Sequence, residues 1–214
     1  MALVCPAVLA STEKDYQAQL HKVVPFAHRV QIDLTDGQFA TSQTVHANEV
    51  TWPAGVLADI HLMYKNPNEP LEHLLAHQPN MIIMHAEAEG QFDQLLQACR
   101  AAGVKVGLAL LKNTPASAVQ TVLEQIDHVL VFSGDLGHYG GHADLSQLDK
   151  VRELKAMRSD VEIGWDGGIN PQNVAQLSMG GVDVLDVGGY IQNSDDAAKA
   201  FAELQRIADE AGTT

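Results

Sequence analysis

Two aspartates in this chain each close a short apolar run. Asp33 lies in Arg29-Val30-Gln31-Ile32-Asp33-Leu34-Thr35-Asp36-Gly37, and Asp166 in Val161-Glu162-Ile163-Gly164-Trp165-Asp166-Gly167-Gly168. Between them, Ala58-Asp59-Ile60-His61-Leu62-Met63 sets a histidine in the same frame. Side chains alternate along an extended strand, so Gln31 shares a face with Asp33, Asp59 and Met63 with His61, and Met81 and Ile83 with His85. The alternate positions Val30, Ile32, Leu34, Ile60 and Leu62 are apolar and suit packing under helices. Val161, Ile163 and Trp165 take that outer face in their run, which leaves Asp166 pointing inward. Inward polar groups are costly unless paired. Two carboxylates and an imidazole at one rim can bind a divalent metal and move a proton. A purely structural hydrogen-bonded network would use the same residue types.

The elements that must position these groups are legible as alternation. Strand-like runs fall near 2–9, 28–34, 57–63, 80–85, 104–110, 128–133, 161–165 and 182–187, with helix-period segments in most gaps. Phe92, Leu95, Leu96 and Cys99 follow the i, i+3, i+4, i+7 spacing, and Gly103 supplies the stop. Ala197, Phe201, Leu204 and Ala208 form a second such stripe. Thr114-Pro115 and Asn170-Pro171 each read as a cap followed by a first-turn proline. Such alternation implies right-handed βαβ units and a parallel sheet. Eight units in 214 residues predict a single (β/α)8 TIM barrel spanning 1–214, with no linker or low-complexity tract. In that architecture the strand ends that carry the aspartates form the functional rim.

Lys plus Arg number 13 against 27 Asp plus Glu, a net charge of −14. That field argues against nucleic acid or an anionic membrane as partner. It leaves room for a small phosphorylated ligand held by backbone amides. Two cysteines, Cys5 and Cys99, suggest no disulfide framework and fit a reducing cytosol. Cys99, in the apolar stripe, is expected to pack. The N-terminal apolar run lacks a basic leader and reads as a first strand, and no run is long enough to span a membrane. A cytoplasmic protein is the expectation. The glycine turns match neither a dinucleotide fingerprint nor a P-loop.

In order along the chain, QIDLTDGQF, ADIHLMYKNP, IIMHAEA, GLALLKNTP, GWDGGIN and GGVDVLDVGGYI resemble the blocks of ribulose-phosphate 3-epimerases, over about residues 6–192. The resemblance implies a ribulose-phosphate-binding barrel that epimerises C3 of a ketopentose phosphate, as in the pentose phosphate pathway. It assigns Asp33 and Asp166 as the two acid–base groups acting through an enediolate. It places a divalent metal (zinc, manganese, iron, cobalt or magnesium) on Gln31, Asp33, His61 and Asp166, holding O2 and O3 of the substrate. Ala7, His61, Met63 and His85 fall on substrate-side positions. Gly140, Gly141, Gly167, Gly168, Gly188 and Gly189 fall on phosphate-binding positions, where the plain reading of the residues is tight turns. Relatives of this kind often form dimers or larger assemblies, so a homo-oligomer is among the expectations, with no residue here marking an interface.

The chain also departs from that pattern. Gln31 stands where the family has histidine, and a neutral amide oxygen suits harder ions better than zinc. Ala7 replaces a serine and Thr35 a methionine, and the phosphate loop becomes Asp135-Leu136-Gly137-His138-Tyr139-Gly140-Gly141-His142. These changes keep two alternatives open: epimerisation of another ketose phosphate such as a ketohexose 6-phosphate, or a sugar-phosphate-binding descendant without catalysis. Asp186 would repel a phosphate if ionised, and the residues alone give no account of it. His138 and His142 read as exposed loop residues, and His73 and His77 as an outer-helix surface pair.

Overall fold

The computed structural model describes residues 1–212. Eight parallel strands close into a barrel in sequence order: β1 (Leu3–Val8), β2 (Arg29–Thr35), β3 (Leu57–Met63), β4 (Met81–His85), β5 (Lys105–Leu110), β6 (His128–Phe132), β7 (Glu162–Asp166) and β8 (Val184–Val187). Each lies where the apolar runs predict it. Around them run α1 (Glu13–Val23), α2 (Leu71–Ala76), α3 (Phe92–Ala102), α4 (Leu148–Met157), α5 (Val174–Met179), α6 (Gly189–Gln192) and α7 (Ala197–Ala211).

Local chemistry explains the best-formed helices. Thr12 caps α1 by accepting the Asp15 N–H at 3.1 Å, with acids in the first turn and His21 and Lys22 in the last, as the helix dipole favours. Asp196 does the same for α7 through Lys199 N–H at 3.0 Å. Gly103 ends α3 in the left-handed conformation, at φ +72°. The α3 stripe is buried at Leu95, Leu96 and Cys99, with Phe92 at its margin, and burial pushes the Cys99 thiol up to about 12.

Two expected helix starts are corrected. After Thr114-Pro115 the chain makes only short 3₁₀ turns, 116–119 and 123–125, and after Asn170-Pro171 helix α5 waits until Val174. Both presumed caps are spent elsewhere. The Thr114 hydroxyl donates to Glu87, and Asn170 donates its amide to Gly168 O at 3.1 Å while accepting Gln172 N–H at 2.9 Å. These side chains brace rim loops and so do not start helices.

The main core lies between barrel and helices: Val30, Ile32, Leu34, Val161, Ile163 and Trp165 all face it at full burial. Inside the barrel a smaller apolar group, Met81, Ile83, Ala109 and Leu130, fills the middle layer. Beneath it, Arg29 bridges Asp59 (Nε to Oδ2, 2.6 Å) and Glu162 (Nη2 to Oε1, 2.7 Å), and His128 Nδ1 meets Glu162 Oε1 at 2.8 Å. An ion network thus seals the floor. Asp33, His61 and Asp166 stand above, at the C-terminal rim.

Candidate active site

Strand register builds the site. Asp33 on β2 is directly opposite His61 on β3, and Asp166 on β7 lies between Phe132 on β6 and Asp186 on β8. Gln31, one pleat below Asp33, reaches across the barrel. Its Nε2 donates to Asp33 Oδ1 at 3.0 Å and to Asp166 Oδ2 at 2.8 Å. His61 Nδ1 lies 2.9 Å from Asp33 Oδ1 and 3.6 Å from Asp166 Oδ2. The Gln31 amide therefore ties the two aspartates together, with the His61 imidazole against Asp33.

Burial sets the protonation of this group. It pushes Asp33 up to about 7 against the hydrogen bond from Gln31, and pushes Asp166 up to about 7 with help from the Asp33 charge. It also lowers His61 to about 4, so the imidazole is neutral near pH 7. Burial thus favours the protonated form at both of these facing carboxyls, and each raises the proton affinity of the other.

The donor set fits a divalent cation in three places. One ligand atom each from Asp33, His61 and Asp166 lies within 4.8 Å of the others. Gln31 Oε1 is buried with no hydrogen-bond partner. It is turned away while the NH₂ faces the carboxylates, so a fourth ligand requires the amide to rotate. Two carboxylates, an imidazole and an amide oxygen suit an oxygen-preferring ion as well as zinc.

A cavity of about 700 Å³ opens above the aspartates. Ala7, Met63, Asp33 and Asp166 line it, as do Gly140, Gly141, Gly167, Gly168, Gly188 and Gly189. His61 and Gln31 lie beneath its wall. His85 does not line it either: its ring sits behind His61, covered by Phe39 at 4.8 Å. Close approach requires glycine at Gly167, Gly168 and Gly188. A side chain at Gly167 (φ +120°) would meet Gly134 N at 2.0 Å, and one at Gly188 would meet the Tyr139 ring at 2.4 Å. Asp186 is buried, and burial raises it well above the carboxylate range, next to Asp166 and with the Cys5 thiol in hydrogen-bond contact. Burial disfavours the charged form of Asp186, which eases its conflict with a bound anion. Thr35 is buried and ties β2 to the following loop through Ser42 O at 2.7 Å.

His138 and His142 are exposed, and only His138 reaches the cavity wall. His73 and His77 are exposed on α2 and its C-cap, ring to ring at 5.1 Å. Sequence reasoning missed Tyr139. Its hydroxyl accepts Leu9 N–H at 2.6 Å and donates to Gln19 Oε1 at 2.6 Å, pinning the loop after β6 to the end of β1. It missed Glu87 as well, for which His-x-Glu spacing in IIMHAEA was the available signal.

The sequence model of the ribulose-phosphate 3 epimerase family matches residues 3–192. The chain belongs to that family. A ribulose-phosphate 3-epimerase of Helicobacter pylori is 31% identical over 95% of this chain and 97% of its own length. That of Bacillus subtilis is 27% identical over 96% and 99%. By name these relatives are isomerases that epimerise a carbohydrate. Among solved structures, the 3-keto-L-gulonate-6-phosphate decarboxylase of Vibrio cholerae superposes with a TM-score of 0.73 at 14% identity, covering 98% of each chain. The 3-hexulose-6-phosphate synthase of Salmonella typhimurium gives 0.70 at 18%, covering 99% and 100%. These two similarities establish the barrel fold. No helix among the described residues is long and apolar enough to cross a membrane.

Proposed function

We propose that this family member is a metal-dependent 3-epimerase that interconverts D-ribulose 5-phosphate and D-xylulose 5-phosphate. The observation that carries the reading is the Asp33–Gln31–Asp166 bridge under a single cavity. An ionised aspartate removes the C3 proton on one face of the substrate, and the protonated aspartate returns a proton to the other. Burial raises the proton affinity of both, which suits groups that take up and return a proton near neutrality. Asp33, His61, Asp166 and Gln31 would hold the metal, which supplies electrostatic stabilisation of the negative charge that develops on the substrate oxygens. Met63 and Phe132 give the cavity wall apolar surface beside the aspartates. The backbone amides of the rim glycines are suited to the phosphate, since they need no cationic side chain.

The test is conversion of D-ribulose 5-phosphate by metal-stripped protein after zinc, manganese, magnesium, iron or cobalt is added back. Appearance of xylulose 5-phosphate supports the reading, and no product with any metal contradicts it. The rebuilt loop at Asp135–His142 favours one alternative, a ketohexose 6-phosphate, so that substrate belongs in the same assay. Binding of both sugars with no turnover would indicate a binding protein. A separate prediction concerns the ligand set. Gln31→His should tighten zinc binding about tenfold or more, as imidazole replaces amide. Competition against a chromophoric chelator measures this, and an unchanged affinity would remove residue 31 from the set.

A further inference from the structure

His61 and His85 meet Nε2 to Nε2 at 2.9 Å, so one of those nitrogens carries a proton and the other is bare. Behind this pair, His85 Nδ1 lies 3.5 Å from Glu87 Oε2. Both of these atoms are buried, and neither makes any hydrogen bond among the described residues. Glu87 Oε1 is occupied: Leu111 N–H donates to it at 3.0 Å, and so does the Thr114 hydroxyl. Burial opposes ionisation of Glu87, but His85, Thr114 and the Leu111 amide outweigh it and lower the group to about 2. A carboxylate can only accept.

A proton on His85 Nδ1 turns a positive dipole toward the Glu87 carboxylate at 3.5 Å, whereas a lone pair there would face its negative charge. That proton leaves His85 Nε2 bare, so the proton of His61 sits on its own Nε2. The lone pair of His61 Nδ1 then faces Asp33 Oδ1 at 2.9 Å and Asp166 Oδ2 at 3.6 Å. We propose that Glu87 is a positioning residue: acting through His85, it holds His61 in the Nε2–H tautomer and so makes Nδ1 available to a cation between the aspartates. This rests on the metal reading above. In the opposite tautomer His61 Nδ1–H donates to Asp33, while His85 Nδ1 turns a lone pair on the Glu87 carboxylate. A cation at the rim and Glu87 behind it therefore select the same arrangement from two sides. Such an outer partner fixes ring orientation and protonation of a ligating histidine.

Imidazole nitrogen NMR on ¹⁵N-labelled protein titrated with zinc reads the tautomers directly. Zinc-loaded native protein should carry its protons on His61 Nε2 and His85 Nδ1. Glu87→Gln offers an amide that can donate to His85 Nδ1, so it should move the His85 proton to Nε2 and weaken zinc binding about 10- to 100-fold. Zinc binding as tight as native in Glu87→Gln, or His85 protonated on Nε2 in the zinc-loaded native protein, overturns the relay alone. Native protein that takes up none of zinc, manganese, magnesium, iron or cobalt overturns the metal reading and the relay with it. If the variant does not fold, the native spectrum alone still overturns the relay when His85 carries its proton on Nε2.

Discussion

Asp33→Asn is expected to lower the epimerisation rate about 1,000-fold while leaving the protein folded, and Asp166→Asn is expected to do the same. The magnitude follows from the loss of a positioned acid or base, on the order of 10²–10⁴ in rate. Each asparagine keeps the volume of the aspartate and can still accept from Gln31 Nε2, so the bridge across the barrel survives in shape. Both positions are buried carboxyls lifted to about 7, meaning the fold bears a cost for any charge there. Removing that charge should leave the metal-free melting temperature unchanged or higher. Steady-state rates beside thermal melts separate the two effects. Near-native rates in either variant would mean that its aspartate is not an acid–base group.

The second large effect is expected at the opposite end of the barrel. Arg29→Met should destabilise the fold by about 3 kcal/mol, as removing one partner of a buried ion pair does. Asp59, fully buried beneath the middle layer, would lose its Nε contact at 2.6 Å, and Glu162 would lose both of its guanidinium bonds. Glu162 is partly exposed and contributes the smaller share. Burial opposes its ionisation, but Arg29 and His128 hold it well below the usual carboxylate range. The sign of the pH dependence follows. A lowered folded-state pKa gives stability that is complete above the unfolded value of 4.5 and is lost as pH falls below it. The gap between native and Arg29→Met should therefore narrow in acid. Urea unfolding at pH 7 and pH 4 measures it, and a gap that widens in acid would contradict the assignment.

These two regions also mark what the amino-acid pattern reveals. Asp33, His61 and Asp166 are legible because strand alternation forces each inward, next to a loop, where an unpaired polar group would be costly. Gly103 is legible because a helix stop needs the left-handed conformation that it adopts. What depends on barrel closure is not legible. Cys5 and Asp186 become neighbours only when β1 pairs with β8, in a buried setting that disfavours the charged form of Asp186. Arg29 meets Glu162 across the barrel floor, and Tyr139 reaches Leu9 across its mouth. No local periodicity encodes either contact. One misplaced helix start has the same origin: Thr114 is a good cap by type, but the assembled rim supplies Glu87 as a competing partner, whereas Asn170 is diverted locally by the Gly168 carbonyl. Gln31 is the subtlest case. The family resemblance puts it in a metal-ligand position, yet its amide faces the aspartates with the donor end.

The central claim is that two aspartates on opposite sides of one substrate exchange different protons. Proton NMR of native, metal-loaded protein converting D-ribulose 5-phosphate in deuterated water, followed from the first turnover, tests it most directly. The account predicts that xylulose 5-phosphate carries deuterium at C3 from the outset, because the proton delivered comes from the second aspartate, already exchanged with solvent. Product that retains the original C3 hydrogen would show one group carrying the proton across, and would contradict the two-aspartate mechanism.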